Sequence, residues 1–240
     1  RVGLLKMTPG TDCGLLSYLI DHNDAVIIES YGVGGLPSYQ GSGFFDVLRS
    51  AIAAYLARSR SIFVRAAQIV IGSGAEYLYS LIAQLLSRER IYGLESPSYE
   101  KIRRVYEALG VTCDLLKLGG DGIHSTELAR THASVLHVTP FRSFPSGVTA
   151  SASKRWQYLR WAEAREGFLI EDDFSSEFSL SSKSEDTLFS LAQQQRVIYL
   201  NTFSKTIAPS LRIGYMVLPE NLLLPFQQRL GFYSCTVPTF

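Results

Sequence analysis

An α/β fold in three layers, with a mostly parallel sheet covered by helices, is predicted by three observations. Short apolar runs alternate with helical stretches for most of the length. One stretch, from the serine cap at Ser151 to Gly167, reads as a helix laid on a sheet. The apolar runs end in polar or glycine-bearing turns, for example Gly72-Ser73-Gly74 after Ile71, Thr139-Pro140 after Val138 and Asp172-Asp173 after Glu171.

Taken in chain order, strands are expected near Ala25 to Glu29, Ile69 to Ile71, Ile91 to Leu94, Cys113 to Lys117, Val135 to Val138, Phe168 to Ile170, Val197 to Leu200 and Gly214 to Leu218, with helices between them. One helix opens at Ser151-Ala152-Ser153-Lys154 with a serine cap. It continues through Trp156, Leu159 and Ala162 at three-residue steps and is closed by Gly167. Residues 32 to 43 (GVGGLPSYQGSG) are the one stretch rich enough in Gly, Pro and Ser to be a boundary or linker.

Composition bounds the function. The 240 residues are 46% hydrophobic and 19% charged with a mean hydropathy of +0.09, a soluble globular profile of roughly one to two domains. Twenty-three Lys and Arg against 22 Asp and Glu leave a net charge of +1, so no surplus points to a nucleic-acid backbone or an anionic membrane. Cys13, Cys113 and Cys235 are odd in number and lack CxxC spacing, which fits a reducing cytoplasm better than a disulfide framework. His22, His124, His132 and His137 show no metal-ligating spacing, so no metal is expected. No apolar run reaches the roughly 18 residues of a membrane span. The absence of an initiator methionine and the ending at Val237-Pro238-Thr239-Phe240 read as a fragment.

In open α/β sheets, ligands bind beyond the carboxyl ends of the strands, and three turns there carry chemistry. Asn201 to Arg212 (NTFSKTIAPSLR) sets Lys205 among hydroxyl side chains with an arginine seven positions on. A lysine can condense with a carbonyl once its amine is deprotonated, and hydroxyls with an arginine bind phosphate. A solvated loop lysine is an equal reading of this segment by itself. Glu171-Asp172-Asp173 follows an apolar strand; it reads as a helix cap, a metal-ligand pair or an acid for a pyridine nitrogen. Gly72-Ser73-Gly74-Ala75 runs from strand to helix, where free N–H groups and the helix dipole attract an anion. Together, a lysine for an aldehyde, an acid for a ring nitrogen and an N–H cup for a phosphate are the complementary parts for pyridoxal 5'-phosphate.

The segments IVIGSGAEYLYSL, LESPSYEKIRRVYEALG, HVTPFRSFPSGVTAS, LIEDDFSSEF and VIYLNTFSKTIAPSLRIGYMVLP occur in that order, with 33 residues from Asp172 to Lys205. Over residues 39–240 the chain thereby resembles the large domain of fold-type-I pyridoxal-phosphate enzymes, the class I/II aminotransferases. Within them it looks most like the aminotransferase-like domain of MocR-type bacterial transcription regulators. The resemblance implies a large domain without its C-terminal small domain, a cytoplasmic homodimer, and an amino acid or amine as substrate or effector. It implies that Lys205 holds the cofactor as an internal aldimine and serves as general base, with Asp172 at the pyridinium nitrogen. Tyr99 would stack on the ring, while Ser73, Gly74 and Ala75 cradle the phosphate with Thr202, Ser204 and Arg212. Phe174 stands where many aminotransferases place a tyrosine that donates to the ring's phenolic oxygen, a donation phenylalanine cannot make. Phe144 replaces the usual asparagine before Pro-Ser-Gly, and Glu76 sets a carboxylate beside the phosphate cup. Arg142 reads as either a substrate-carboxylate ligand or a surface charge.

Two activities follow from that resemblance: amino-group transfer, or effector sensing without turnover in a regulator whose winged helix lies elsewhere, so that this chain alone binds no operator. Residues 1–38 instead resemble the start of the C-terminal domain of type I bacterial asparaginases, a strand, helix and strand. The nucleophilic threonines of that family lie in its other domain, so asparaginase activity is the least expected of the three.

Overall fold

All eight expected strands form in the computed structural model, which describes residues 1–7, 11–29, 43–174, 185–192, 196–203 and 213–233. The elements are β1 (Val2–Lys6), α1 (Cys13–His22), β2 (Ala25–Glu29), α2 (Phe44–Arg60), β3 (Ile69–Gly72), α3 (Ala75–Leu86), β4 (Ile91–Ser96), α4 (Glu100–Ala108) and β5 (Thr112–Gly119). There follow β6 (Gly122–Ile123), α5 (Ser125–Arg130), β7 (Val135–Val138), α6 (Ala152–Ala164), β8 (Phe168–Asp172), α7 (Leu188–Leu191), β9 (Val197–Thr202), β10 (Gly214–Val217) and α8 (Glu220–Leu230). None of the helices is long and apolar enough to cross a membrane, among the described residues.

The main sheet has eight strands in the order β3-β10-β9-β8-β7-β4-β5-β6. Pairs β9/β8, β8/β7, β7/β4 and β4/β5 are parallel, whereas β10 is antiparallel to both β3 and β9 and β6 is antiparallel to β5. Two antiparallel pairings in succession leave β3 running with β9. The carboxyl ends of β3, β9, β8, β7 and β4 therefore share one edge, and the amino end of β10 joins them there.

Side chains alternate between two cores because successive strand residues point to opposite faces. Val197 and Tyr199 of β9 pack with Leu56 of α2 and Tyr158 of α6, while Ile198 and Leu200 pack with Leu78 and Ile82 of α3. That alternation with apolar neighbours on both sides makes the three layers, and it explains why such strands read as short apolar runs.

Helix α6 shows where spacing misled. Ser151 caps it as expected, its hydroxyl accepting from Lys154 N. The buried face, however, carries Tyr158, Trp161 and Ala162, while Trp156 is exposed. The residue in left-handed backbone after the helix is Glu166 (φ 48), not Gly167. Gly167 serves close approach instead: a Cβ there would lie 2.5 Å from the Ser134 carbonyl oxygen.

The front of the chain folds as β1, α1 and β2, with the two strands paired in parallel. Leu5, Met7 and Leu16 bury against Phe44 at the start of α2. Most of the expected linker lies outside the described residues.

Candidate functional site

Register fixes the site. Gly214 opens β10 opposite Gly72 on one side and Thr202 on the other. The turn after β3 and the end of β9 therefore flank the same glycine. Gly214 packs tightly against that turn: a Cβ would sit 3.1 Å from the Gly74 carbonyl carbon, so the turn would have to give way slightly.

Ser73 and Gly74 form the turn, and Ala75 is the first residue of α3. Gly74 has φ 90 and ψ 176, a conformation essentially reserved for glycine, and no side chain caps the helix. This twelve-residue helix opens without a side-chain cap, and its dipole favours negative charge at that end. Glu76 in the first turn is answered by Lys101, whose Nζ lies 3.1 Å from Glu76 Oε1. The Glu76 carboxylate, with the neighbouring Tyr99 side chain, holds the Lys101 ammonium above the ordinary lysine range. Tyr99 precedes α4 and is 41% exposed, with its ring edge-on to Phe144 at a centroid distance of 6.2 Å.

Asp172 ends β8, buried, with Leu200 of β9 as its register partner two residues before Thr202. Its Oδ2 accepts from Tyr79 Oη at 2.5 Å, and His137 Nε2 is 3.4 Å from the same oxygen. Tyr79 lies on α3, the helix that begins at the Ser73-Gly74 turn, so the N–H cup and the carboxylate are tied by one side chain.

The structure thus brings Ser73, Gly74, Ala75, Tyr99, Asp172 and Thr202 to the same edge of the molecule. Phe174, half-buried, follows Asp172 by two residues. Ser204, Lys205 and Arg212 lie outside the described residues. The residues on either side of that segment meet at this edge, since Phe203 N donates to Ile213 O at 2.9 Å. Arg142 is exposed with φ 51.

Several residues here had no signal in the sequence. Tyr79, His137 and Tyr106 gather around Asp172 from α3, β7 and α4. Asp173 turns to the other face, where Arg60 Nη2 (2.6 Å) and Tyr199 Oη (2.8 Å) bond its Oδ2. Glu95, fully buried at the end of β4, accepts from Ser143 Oγ at 2.6 Å and ties the loop after β7 to the site. Burial pushes its carboxyl up to about 7 against the opposing pull of Ser143 and the Thr139 N–H. No group of three or more metal-ligating side chains occurs among the described residues.

Comparison with known proteins bears on the family and the fold. Residues 31–239 match the family described as aminotransferase class I and II. The chain is 34% identical over 190 residues to the HTH-type transcriptional regulator YdeL of Bacillus subtilis, covering 79% of this chain and 41% of that protein. It is 34% identical over 172 residues to the HTH-type pyridoxine biosynthesis transcriptional regulator PdxR of Corynebacterium glutamicum, covering 72% and 38%. Among solved structures, the kynurenine aminotransferase of Pyrococcus horikoshii, determined with PMP, superposes with a TM-score of 0.69 at 26% identity, covering 79% of this chain and 49% of that one. The chain spans about two fifths of the length of these curated relatives. The matched region begins after β2, so it leaves the front strand-helix-strand piece outside.

Proposed function

The chain belongs to the aminotransferase class I and II family, and from that premise we propose that it binds pyridoxal 5'-phosphate at the edge formed by β3, β8, β9 and β10 and performs amino-group transfer. The observation that carries this reading is the buried Asp172 carboxylate tied through Tyr79 to the helix whose uncapped N-terminus forms the cup.

The described residues fit the cofactor. Gly74 turns the chain into α3 with a backbone that a side chain would strain, and Gly214 leaves space where a Cβ would press on that turn. A phosphate suits such a helix start, and Asp172 is an acceptor without solvent competition. When bound, pyridoxal phosphate supplies an aldehyde and an electron-withdrawing ring that stabilises negative charge at the carbon bearing the amino group.

In this reading Ser73, Gly74 and Ala75 hold the phosphate with Thr202, Ser204 and Arg212. Asp172 accepts the proton-bearing ring nitrogen, Tyr99 covers one ring face, and Phe174 adds apolar contact without a hydroxyl. Lys205 Nζ would hold the cofactor by condensing with its aldehyde, with loss of water, and the freed amine would serve as the base that moves a proton at the substrate carbon. Glu76 is kept from repelling the phosphate by Lys101. We place this chemistry in a cytoplasmic homodimer.

A second reading is favoured by the relatives, whose names are those of HTH-type transcription regulators: the same site recognises an amino compound as an effector and does not turn over. Incubating the full chain with pyridoxal phosphate, fixing with borohydride and mapping the modified peptide tests the shared premise. A yellow adduct on Lys205 is expected, and its absence or its placement on another residue overturns both readings. Release of a keto acid from an amino acid, with 2-oxoglutarate as acceptor, then selects transfer; a spectral response to the amino acid without that release selects sensing.

A further inference from the structure

Two side chains bond Asp172, and both reach the same oxygen. Tyr79 Oη and His137 Nε2 converge on Oδ2, and among the described residues no donor reaches Oδ1. Behind His137 stands Tyr106, whose Oη is 2.9 Å from His137 Nδ1. The four groups come from α3, α4, β7 and β8, and all are buried. Their rings are packed edge to face, with Tyr79 and Tyr106 centroids 5.1 and 5.7 Å from that of His137.

The direction of the hydrogen bonds follows from the phenols. Burial, reinforced for both by the charge of Asp172, pushes Tyr79 and Tyr106 well above the ordinary tyrosine range, so each keeps its proton and donates. A neutral imidazole that accepts at Nδ1 carries its proton on Nε2, and that nitrogen faces Asp172. Tyr106, His137 and Tyr79 are therefore aligned as donors toward one carboxylate oxygen. Donors fixed by packing on separate elements determine the rotation of the group they hold.

We propose that Tyr79 and His137 are positioning residues that lock the Asp172 carboxylate through Oδ2 and leave Oδ1 to receive the ring nitrogen of pyridoxal phosphate. This rests on the cofactor reading above. It adds to it that the electron-withdrawing state of the ring depends on two side chains that do not touch the cofactor.

The test loads the full chain with pyridoxal phosphate carrying 15N in the ring and reads the nitrogen chemical shift, which separates a protonated from an unprotonated pyridine. The wild-type chain is expected to give the protonated signal. Tyr79→Phe keeps the ring packing and deletes one donor, and His137→Phe deletes the other. Each is expected to move the signal toward the unprotonated position and to weaken cofactor binding roughly tenfold, the scale of one charge-assisted hydrogen bond. Tyr106→Phe is expected to move it in the same direction by less. A wild-type nitrogen signal in both Tyr79→Phe and His137→Phe overturns the positioning role, even if their melting temperatures fall, and leaves the cofactor reading standing. Failure of the wild-type chain to form the Lys205 adduct overturns both. Should one variant not fold, the other reads the same oxygen.

Discussion

Arg60, the last residue of α2, donates from Nη2 to Asp173 Oδ2 at 2.6 Å across 113 positions of sequence, and both side chains are buried. The pair sits directly behind the site, since Asp173 follows the residue assigned to the ring nitrogen. Arg60 also lies over the ring of Phe141 at 5.0 Å, and Arg155 flanks the same ring at 5.2 Å. One ion pair and one aromatic ring thus pin α2, the end of β8 and the loop after β7 together.

Removing one member of a buried ion pair leaves the other charge in a site that water does not reach. Arg60→Ala is therefore expected to lower the unfolding free energy by about 3–5 kcal/mol, read by urea denaturation at neutral pH. Arg60→Met combined with Asp173→Leu is expected to recover most of that loss. A single-variant loss below about 1 kcal/mol would show that the pair is screened like a surface bridge.

Stability should depend on pH through two buried carboxyls. Burial pushes Glu95 up to about 7 and Glu171 up to about 8, from an ordinary 4.5. The folded chain keeps these protons at a pH where the unfolded chain has lost them. Their contribution is therefore fully present below about pH 4.5 and is lost as pH rises through 7 and then 8. Glu95→Gln keeps the acceptor for Ser143 Oγ and removes the titration. It is expected to flatten the decline between pH 4.5 and 7 and to be the more stable protein at pH 8 by about 3 kcal/mol. Parallel pH profiles of melting temperature for the two proteins would contradict this.

Strands β7, β8, β9 and β10 were legible because each is buried on both faces, which gives an apolar run closed by a polar or glycine turn, whereas β5 is mostly exposed or half-buried and was legible from its short apolar stretch. β6 escaped notice because two residues carry no period. The buried face of α6 was misplaced because Lys154 and Arg155 are buried alongside Tyr158: Lys154 Nζ bonds Ile123 O at 2.8 Å, and Arg155 lies over Phe141. At the site, Gly74, Asp172 and Thr202 could be found from position alone, as residues at strand ends. Tyr79 and His137 could not, since their bonds to Asp172 span 93 and 35 residues and exist only once the sheet order is known. The carboxylate of Glu76 looked adverse for the same reason, because Lys101, which answers it, stands 25 positions away on another helix.

Gly74 offers a test of the cup independent of any charge. Its φ of 90 with ψ 176 is strained for any side chain, so Gly74→Ala is expected to cost roughly 1–3 kcal/mol of stability and to turn the N–H groups of the turn out of alignment. Cofactor affinity by fluorescence titration should fall at least tenfold. Gly110→Ala is the matched control: φ is 81, but nothing lies within 4 Å of the added carbon and the residue follows α4, away from the turn. It is expected to lose stability and keep its affinity, and equal affinity losses in the two variants would remove the cup from the site.

Lys101 and Glu76 permit a cycle that isolates electrostatics at the phosphate. Lys101 Nζ bonds Glu76 Oε1 in the first turn of α3, so Lys101→Ala exposes the supposed phosphate position to an unanswered negative charge. Weaker binding of pyridoxal phosphate is expected, by a few-fold at low ionic strength and less at high salt, because half-exposed charges are screened. Glu76→Gln alone is expected to bind as well as the wild type or better, and Lys101→Ala combined with Glu76→Gln should return to the affinity of Glu76→Gln. If the double variant instead keeps the full defect of Lys101→Ala, the lysine acts otherwise than by neutralising the carboxylate, for example through its neighbour Tyr99. Titrations of all four proteins at two salt concentrations distinguish these outcomes.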